Sequence, residues 1–382
     1  MNLPNDGEPP KRDATASGTG AGPKKFEELH RAITMAQIAK AADVSQGAIS
    51  SMLNDRNYGI RVSEKTRAHV FRVCRQMGYI PNDLRALVRM YPELGGYSLL
   101  IASDIPGGLR SPLVTRLAAA AMGALPDPAQ ALCVGHYDPA VDYHAEGAVL
   151  PHSVSTFVYS KFLLVGQPNL SLIETLTRRG LPVMSFGYEV ALPGVVSFVP
   201  DYALASNLAI RHLGKLGHRH LGIVSGPFGS LDAKVLDFNR GVRLACEALH
   251  LPLDAQHIIY GDLSEEAGRT ALDEMLARSP QPTAIFCMSD SAALGLIERA
   301  QAHGIAVPET LSVIGCGDDP GAQMTHPQLT TVRLPAEEMA EQAIREIDHM
   351  VNEPLPAAPR KIVPPLSLVE RQSCAAQKTA DR

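Results

Sequence analysis

Residues 33–54 read ITMAQIAKAADVSQGAISSMLN, and the spacing within this stretch points to both fold and function. Thr34 and Gln37 stand three apart, the arrangement of a capping box that opens a helix. Met35, Ile38, Ala39 and Ala42 share one face at helical spacing. Asp43-Val44 breaks the pattern as a turn. Ser45 then caps a second helix whose inner positions are Ala48, Ile49, Met52 and Leu53. After a polar loop, Ser63 caps a third helix with an apolar stripe of Val70, Phe71, Cys74 and Met77, and Gly78 stands at its C-cap. Helix, tight turn and helix within about 20 residues is the helix-turn-helix arrangement, in which the second helix lies in the major groove of DNA. That helix would present Gln46 and Gly47 at its start, with Ser50 and Ser51 one turn on. The Gln46 amide matches adenine bidentately. Thr34, Ser45, Asn54 and Thr66 are short polar residues at helix ends, suited to phosphate contacts, and Arg61 and Lys65 supply charge. A plain three-helix bundle whose caps serve stability alone fits the same pattern.

Charge separates these alternatives. The chain of 382 residues carries a net charge of -5. Residues 24–90 hold 12 Lys and Arg against 6 Asp and Glu, a net of +6. Residues 91–382 hold 21 against 31, a net of -10. A basic head on an acidic body implies that only the head meets a polyanion.

The remaining organisation follows outward. Residues 1–32, rich in Pro, Gly, Ala and Thr, read as a disordered tail. The glycines at 18–22 before Lys24 do not make a phosphate loop: Pro23 replaces the second Gly and no Ser or Thr follows the Lys. Residues 33–80 form the DNA-binding domain, and residues 81–96 form an amphipathic hinge and linker. From residue 97, apolar runs at 99–102, 131–134, 162–165, 183–186, 220–225, 258–260, 284–288 and 312–316 alternate with helical patterns such as 202–216, 265–278 and 291–303. Continuous apolar strands with crossover helices imply a doubly wound parallel sheet. About 280 residues exceed one ordinary sheet of this kind, so two α/β lobes with a cleft between them are expected, ending near residue 373 before a short tail. The first lobe takes residues 97–198 and 333–350, the second 199–332 and 351–373.

The stretch 33–54, followed by VSEKTR at 62–67 and GYIPN at 78–82, resembles the head of the lactose-repressor family (LacI/GalR). LGHRHLGIVSGP at 216–227, PTAIFCMSDSAALGL at 282–296, LSVIGCGDDP at 311–320, PQLTTV at 327–332 and LVERQS at 368–373 follow the same family's order, so the resemblance covers nearly all of residues 33–373. It implies a homodimeric transcriptional regulator, more often a repressor, that binds a pseudo-palindromic operator in double-stranded DNA. It also implies a body like a periplasmic sugar-binding protein that closes on a small-molecule effector. The family's hinge helix wedges a Leu into the minor groove, bending the duplex. Val88 falls at that position here, with Leu87 beside it.

The resemblance weakens at the family's effector contacts. Its Asp after the fourth strand falls on Gly187, its helix Arg on Phe238, its Asn on Ser289, and the first Asp of its G-F-D-D signature on Gly317. Asp290 and Asp318 remain. A cleft that has lost an Arg and carboxylates lacks the strongest charge-assisted partners for hydroxyls. Gly187 and Gly317 also remove side-chain volume, and Phe238 adds an apolar face. The effector expected is therefore not the usual hydroxyl-rich sugar but a bulkier or more apolar molecule, unless ligand control has been lost. A shift of one residue at Gly317 would instead restore Asp318 as a contact.

Other functions find little support. No GxSxG, HExxH or Walker pattern appears, and adjacent carboxylates Asp318 and Asp319 on an extended segment point to opposite faces. His212, His218 and His220 surround a G-H-R turn, a structural place, so neither metal nor cofactor is expected. The six cysteines lack CxxC pairs and fit a reducing cytoplasm. A solute-binding protein would need an export signal and no DNA head. A DNA-binding scaffold without ligand control is the remaining competitor. No apolar run long enough for a membrane span appears.

Overall fold

The computed structural model describes residues 33–54, 62–77, 79, 95–127, 130–156, 158–351 and 353–377. The chain divides into two compact units, Met1–Ala86 and Leu87–Arg382.

The first unit holds α1 (Met35–Ala41), α2 (Gln46–Asn54) and α3 (Glu64–Met77). The capping box is formed, with the Thr34 amide donating to Gln37 Oε1 at 2.8 Å and the Gln37 amide donating to Thr34 Oγ1 at 3.4 Å. Asp43 takes a left-handed conformation with φ of 53°, which swings the chain from α1 into α2. Ser45 Oγ accepts from the Ala48 amide at 3.1 Å, and Ser63 Oγ accepts from the Thr66 amide at 3.1 Å. The small core is Ile38, Ala39, Ala42, Ala48, Ile49, Met52, Val70 and Cys74. Phe71 and Met77 are half-buried. The hinge, including Leu87 and Val88, lies outside the described residues, as do Arg61, Gly78 and the side chains of Leu53 and Asn54.

The second unit runs β1 (Gly96–Ala102), α4 (Pro112–Gly123), β2 (Leu132–Tyr137), α5 (His152–Ser155), β3 (Tyr159–Val165), α6 (Leu170–Arg178), β4 (Val183–Phe186), β5 (Val195–Phe198) and α7 (Tyr202–Lys215). It continues β6 (Leu221–Ser225), α8 (Ala233–Ala248), β7 (Ile258–Tyr260), α9 (Glu265–Leu276), β8 (Ala284–Cys287), α10 (Asp290–Ala302), β9 (Ser312–Gly317), α11 (Gly321–Met324), β10 (Thr330–Arg333), α12 (Ala336–Met350), β11 (Arg360–Ile362) and β12 (Ser367–Val369).

Two sheets result. The first has the order β11-β5-β4-β3-β1-β2 and the second β12-β10-β9-β8-β6-β7. All pairings are parallel except β10 with β12. Each sheet buries both faces, which is why its strands read as continuous apolar runs. In β1 the side chains alternate: Leu99 and Ile101 join α4 and α12 on one face, and Leu100 and Ala102 join α6 on the other.

The chain passes between the sheets three times, at 199–201, 334–335 and 363–366. The tail end of the second lobe differs from expectation. Strand β11 pairs with β5 in the first sheet, so 351–373 is shared: 360–362 belong to lobe one and only 367–369 to lobe two. The short, mostly charged sequence RKI of β11 carries little apolar signal. Backbone pairing with β5 places it, helped by Ile362 against the lobe-one core and by the ion pairs Arg360–Glu346 and Lys361–Glu189. In lobe two, α9 and α10 meet at reciprocal glycines. A Cβ on Gly268 would lie 1.9 Å from the Ala292 carbonyl oxygen, and one on Gly295 would lie 2.0 Å from that of Glu265.

Candidate DNA-reading helix and interlobe cleft

In α2 the buried face of Ala48, Ile49 and Met52 leaves Ser45, Gln46 and Gly47 exposed at the helix start. Four backbone N–H groups at a helix start lack intrahelical partners, and the Ser45 hydroxyl takes up one of them. A helix end so arranged can face a phosphate and project Gln46 beyond it. Ser50 and Ser51 are half-buried one turn on, and Thr34 and Lys65 are exposed. Thr66 is half-buried with its hydroxyl 2.7 Å from that of Ser63.

The second site lies within the other unit, at the carboxyl ends of the lobe-one strands and the start of α8. Asp232 caps α8, its Oδ1 accepting from the Lys234 amide at 2.8 Å. Its Oδ2 accepts from the Tyr188 hydroxyl at 2.6 Å, so one carboxylate ties lobe two to the segment after β4 in lobe one. Lys234 Nζ lies 4.0 Å from the centroid of the Tyr188 ring, a cation–π contact. Gly187 makes this approach feasible. A Cβ there would stand 2.9 Å from both Cε and Nζ of Lys234, and φ is +95°, a conformation suited to Gly. Burial pulls the lysine below its usual range, while Asp232 and Asp104 favour its charge. Burial likewise raises Asp104, and Lys234 opposes that rise. Nearby, the loop into α8 carries Phe228 and Leu231, 82% and 89% exposed, with Phe228 edge-on to Tyr260.

Of the other contacts expected from sequence, one lies in the core and the rest are engaged within the protein. Phe238 is a correction: its side chain is fully buried, packed against Phe286 at 4.9 Å between ring centroids in the lobe-two core, so it offers no face to a ligand. Ser289 caps α10 through the Ala292 amide and donates to the Leu263 carbonyl. Asp290 is fully buried, accepting from Thr331 Oγ1 at 2.5 Å and from the Asp319 amide at 2.8 Å. Burial and the nearby Asp319 push it up to about 7, against those two hydrogen bonds. Asp318 pairs with Arg371 at 2.5 Å and Asp319 with Arg116 at 3.3 Å, so the adjacent carboxylates do point apart. Gly317 has φ of +150° and offers Arg116 its carbonyl oxygen. His218 bridges Thr283 and Ala375 through its two ring nitrogens, a structural role.

Arg116 was not foreseen. This residue of α4, 8% exposed, donates bidentately to Glu337 at 2.8 Å, to the Leu334 carbonyl at 2.9 Å and to the Gly317 carbonyl at 2.8 Å. It thus fastens lobe one to a crossing segment and to the end of a lobe-two strand. Sequence pattern does not show it, because its partners lie about 200 residues away. Lys234 had a fainter signal: it stands one turn before Phe238 on the same face of α8. Phe238 packs into the lobe-two core, and Lys234 meets Tyr188 of lobe one.

Comparison with known proteins agrees with both units. Residues 34–82 match the family described as bacterial regulatory proteins, lacI family, and residues 210–374 match the periplasmic binding protein-like domain. The regulator MalR of Streptomyces coelicolor is 30% identical over 332 residues, covering 82% of this chain and 88% of its own. The chain belongs to the lacI family. The regulator DegA of Bacillus subtilis is 29% identical over 344 residues, covering 89% of this chain and 97% of its own. The repressor CytR of Escherichia coli is 29% identical over 328 residues, with 84% and 90% covered. The fold matches the structure of a CelR–cellobiose complex at a TM-score of 0.57, with 24% identity over 89% of this chain and 99% of that one. It also matches the lac repressor dimer bound to operator and the anti-inducer ONPF at 0.60, with 19% identity over 91% and 100%. This lacI-family member is therefore a DNA-binding transcriptional regulator with an effector-type domain, not an enzyme. No helix among the described residues is long and apolar enough to cross a membrane.

Proposed function

We propose that this regulator is a cytoplasmic repressor that binds a pseudo-palindromic operator as a homodimer, one α2 per half-site. In this reading a small molecule taken up between the lobes of the second unit changes operator affinity. The observation that carries it is the start of α2, where Ser45, Gln46 and Gly47 are exposed while Ala48, Ile49 and Met52 face the core. Gln46 reads a base edge, and Ser45, Thr34 and Lys65 hold phosphates. Asn54, Thr66 and Arg61 extend the backbone contact, Ser50 and Ser51 line the groove, and Leu87 and Val88 enter the minor groove.

Selection from a random duplex library at stated salt tests the reading. A recovered pseudo-palindrome of roughly 14–20 base pairs supports it. Salt-sensitive binding without a consensus would overturn it. An effector must bind the free and DNA-bound states with different affinity. A regulator without ligand control is favoured by one observation: Asp290, Asp318 and Asp319 are all engaged within the protein. Operator affinity that no small molecule shifts would select that second reading.

A further inference from the structure

We propose that Lys234 anchors an anionic group, a carboxylate or a phosphate, on a hydroxyl-bearing effector held between the lobes; this rests on reading the cleft as the effector site. Three observations combine. The Lys234 ammonium, half-buried on the face of Tyr188, has no ion pair of 4.0 Å or less among the described residues. Its neighbour Asp232 favours the charge but lies beyond ion-pair distance, its two oxygens accepting from the Lys234 amide and the Tyr188 hydroxyl. Gly187 presents no side chain where the ammonium lies, and a Cβ there would stand 2.9 Å from Nζ, so the lysine end would have to shift from its present place.

An ammonium has three donors and no acceptor. Held against a ring face, it still needs oxygen partners, and charge-assisted bonds to carboxylate or phosphate are about twice as strong as neutral ones. Asp104, exposed on the facing lobe and in electrostatic reach of Lys234, supplies the opposite chemistry. It accepts from hydroxyls and repels a second acid group. The pair therefore selects a ligand with an acid at one end and hydroxyls at the other. A pocket of 440 Å³ beside Arg116 is a weaker candidate, because Arg116, Asp318 and Arg333 on its wall are all paired already.

The test uses the full chain and matched compounds: glucose with glucuronate and glucose 6-phosphate, ribose with ribonate and ribose 5-phosphate, and inorganic phosphate. Melting shifts and calorimetry are read for wild type, Lys234→Met and Lys234→Arg. The expected result is saturable binding of an acid at least tenfold tighter than its neutral parent. Lys234→Met should weaken that binding tenfold or more without lowering the melting temperature, and Lys234→Arg should retain part of it. Response to phosphates alone, or to carboxylates alone, names the source of the anion. A neutral parent that binds as tightly as its acid, with Lys234→Met unchanged, overturns the proposal and leaves the cleft reading intact. No response from any acid also overturns it; silence from the neutral compounds as well overturns the cleft reading with it.

Discussion

The two units each present a candidate functional surface at the start of a capped helix, and they do so in opposite ways. At the start of α2, Ser45 caps the helix and the residues after it face outward, away from their own core. At the start of α8, Asp232 caps the helix and Lys234 turns onto Tyr188 of the other lobe. The described residues that shape the first surface lie within one stretch, 34–74. The second is assembled from residues 104, 187–188 and 232–234, brought together by two sheets and three crossings. The proposed reading surface is thus locally specified and the proposed sensing surface globally specified, and changes that destabilise one should leave the stability of the other untouched.

The largest test of that separation is Arg116→Met. It leaves Asp319 without its guanidinium partner and the Gly317 and Leu334 carbonyls without theirs. Removing one partner of a buried pair costs about 3–5 kcal/mol. Denaturant unfolding of the sensor unit should shift by that amount, with the head's transition unmoved. A head that loses stability equally would show that the units are not independent.

Asp290 gives the next effect. Its carboxyl is pushed up to about 7 in the fold, against about 3.9 in an unfolded chain. Between those values the folded state keeps a proton that the unfolded state releases, so sensor stability falls as pH rises from about 4 to about 7 and then levels. The shift corresponds to at most about 4 kcal/mol spread over that window. Asp290→Asn removes its share of the slope, while Asp104 and Asp319, also raised by burial, keep theirs. Calorimetry at pH 5 and 7.5 should show a smaller difference for the variant, and an unchanged slope would assign the titration elsewhere.

On the head, Gln46→Ala should cost about 1–3 kcal/mol of discrimination at one base pair of the selected site. The sensor's melting temperature should not change. This residue was legible from sequence because helical spacing alone tells which side of α2 is outward. The same holds for the caps at Thr34, Ser45 and Ser63 and for the apolar strands, whose period needs no knowledge of partners. Arg116 and Lys234 were not legible, since a charged residue in a helix looks solvated until its distant neighbours are placed. Phe238 was misread for a related reason: alignment located its position in the chain, but the direction of its side chain depends on how α8 lies over the sheet. Strand β11 went unread because a three-residue strand with two exposed charged residues and one half-buried Ile is too short to show a period.

The smallest effect is the most diagnostic of the local surface. Ser45→Ala removes a capping acceptor and should lower head stability by about 1 kcal/mol. Taken alone, that loss is compatible with a cap that serves stability and nothing else. Ser45→Asp separates the roles, because Asp caps as well as Ser but brings a negative charge to the helix start. If Ser45 holds a phosphate, Ser45→Asp melts like wild type and binds operator more weakly, with the loss persisting across operator sequences because phosphate contacts carry no base information. If Ser45 is only a cap, Ser45→Asp binds like wild type and the phosphate contact must come from Thr34 and Lys65 instead.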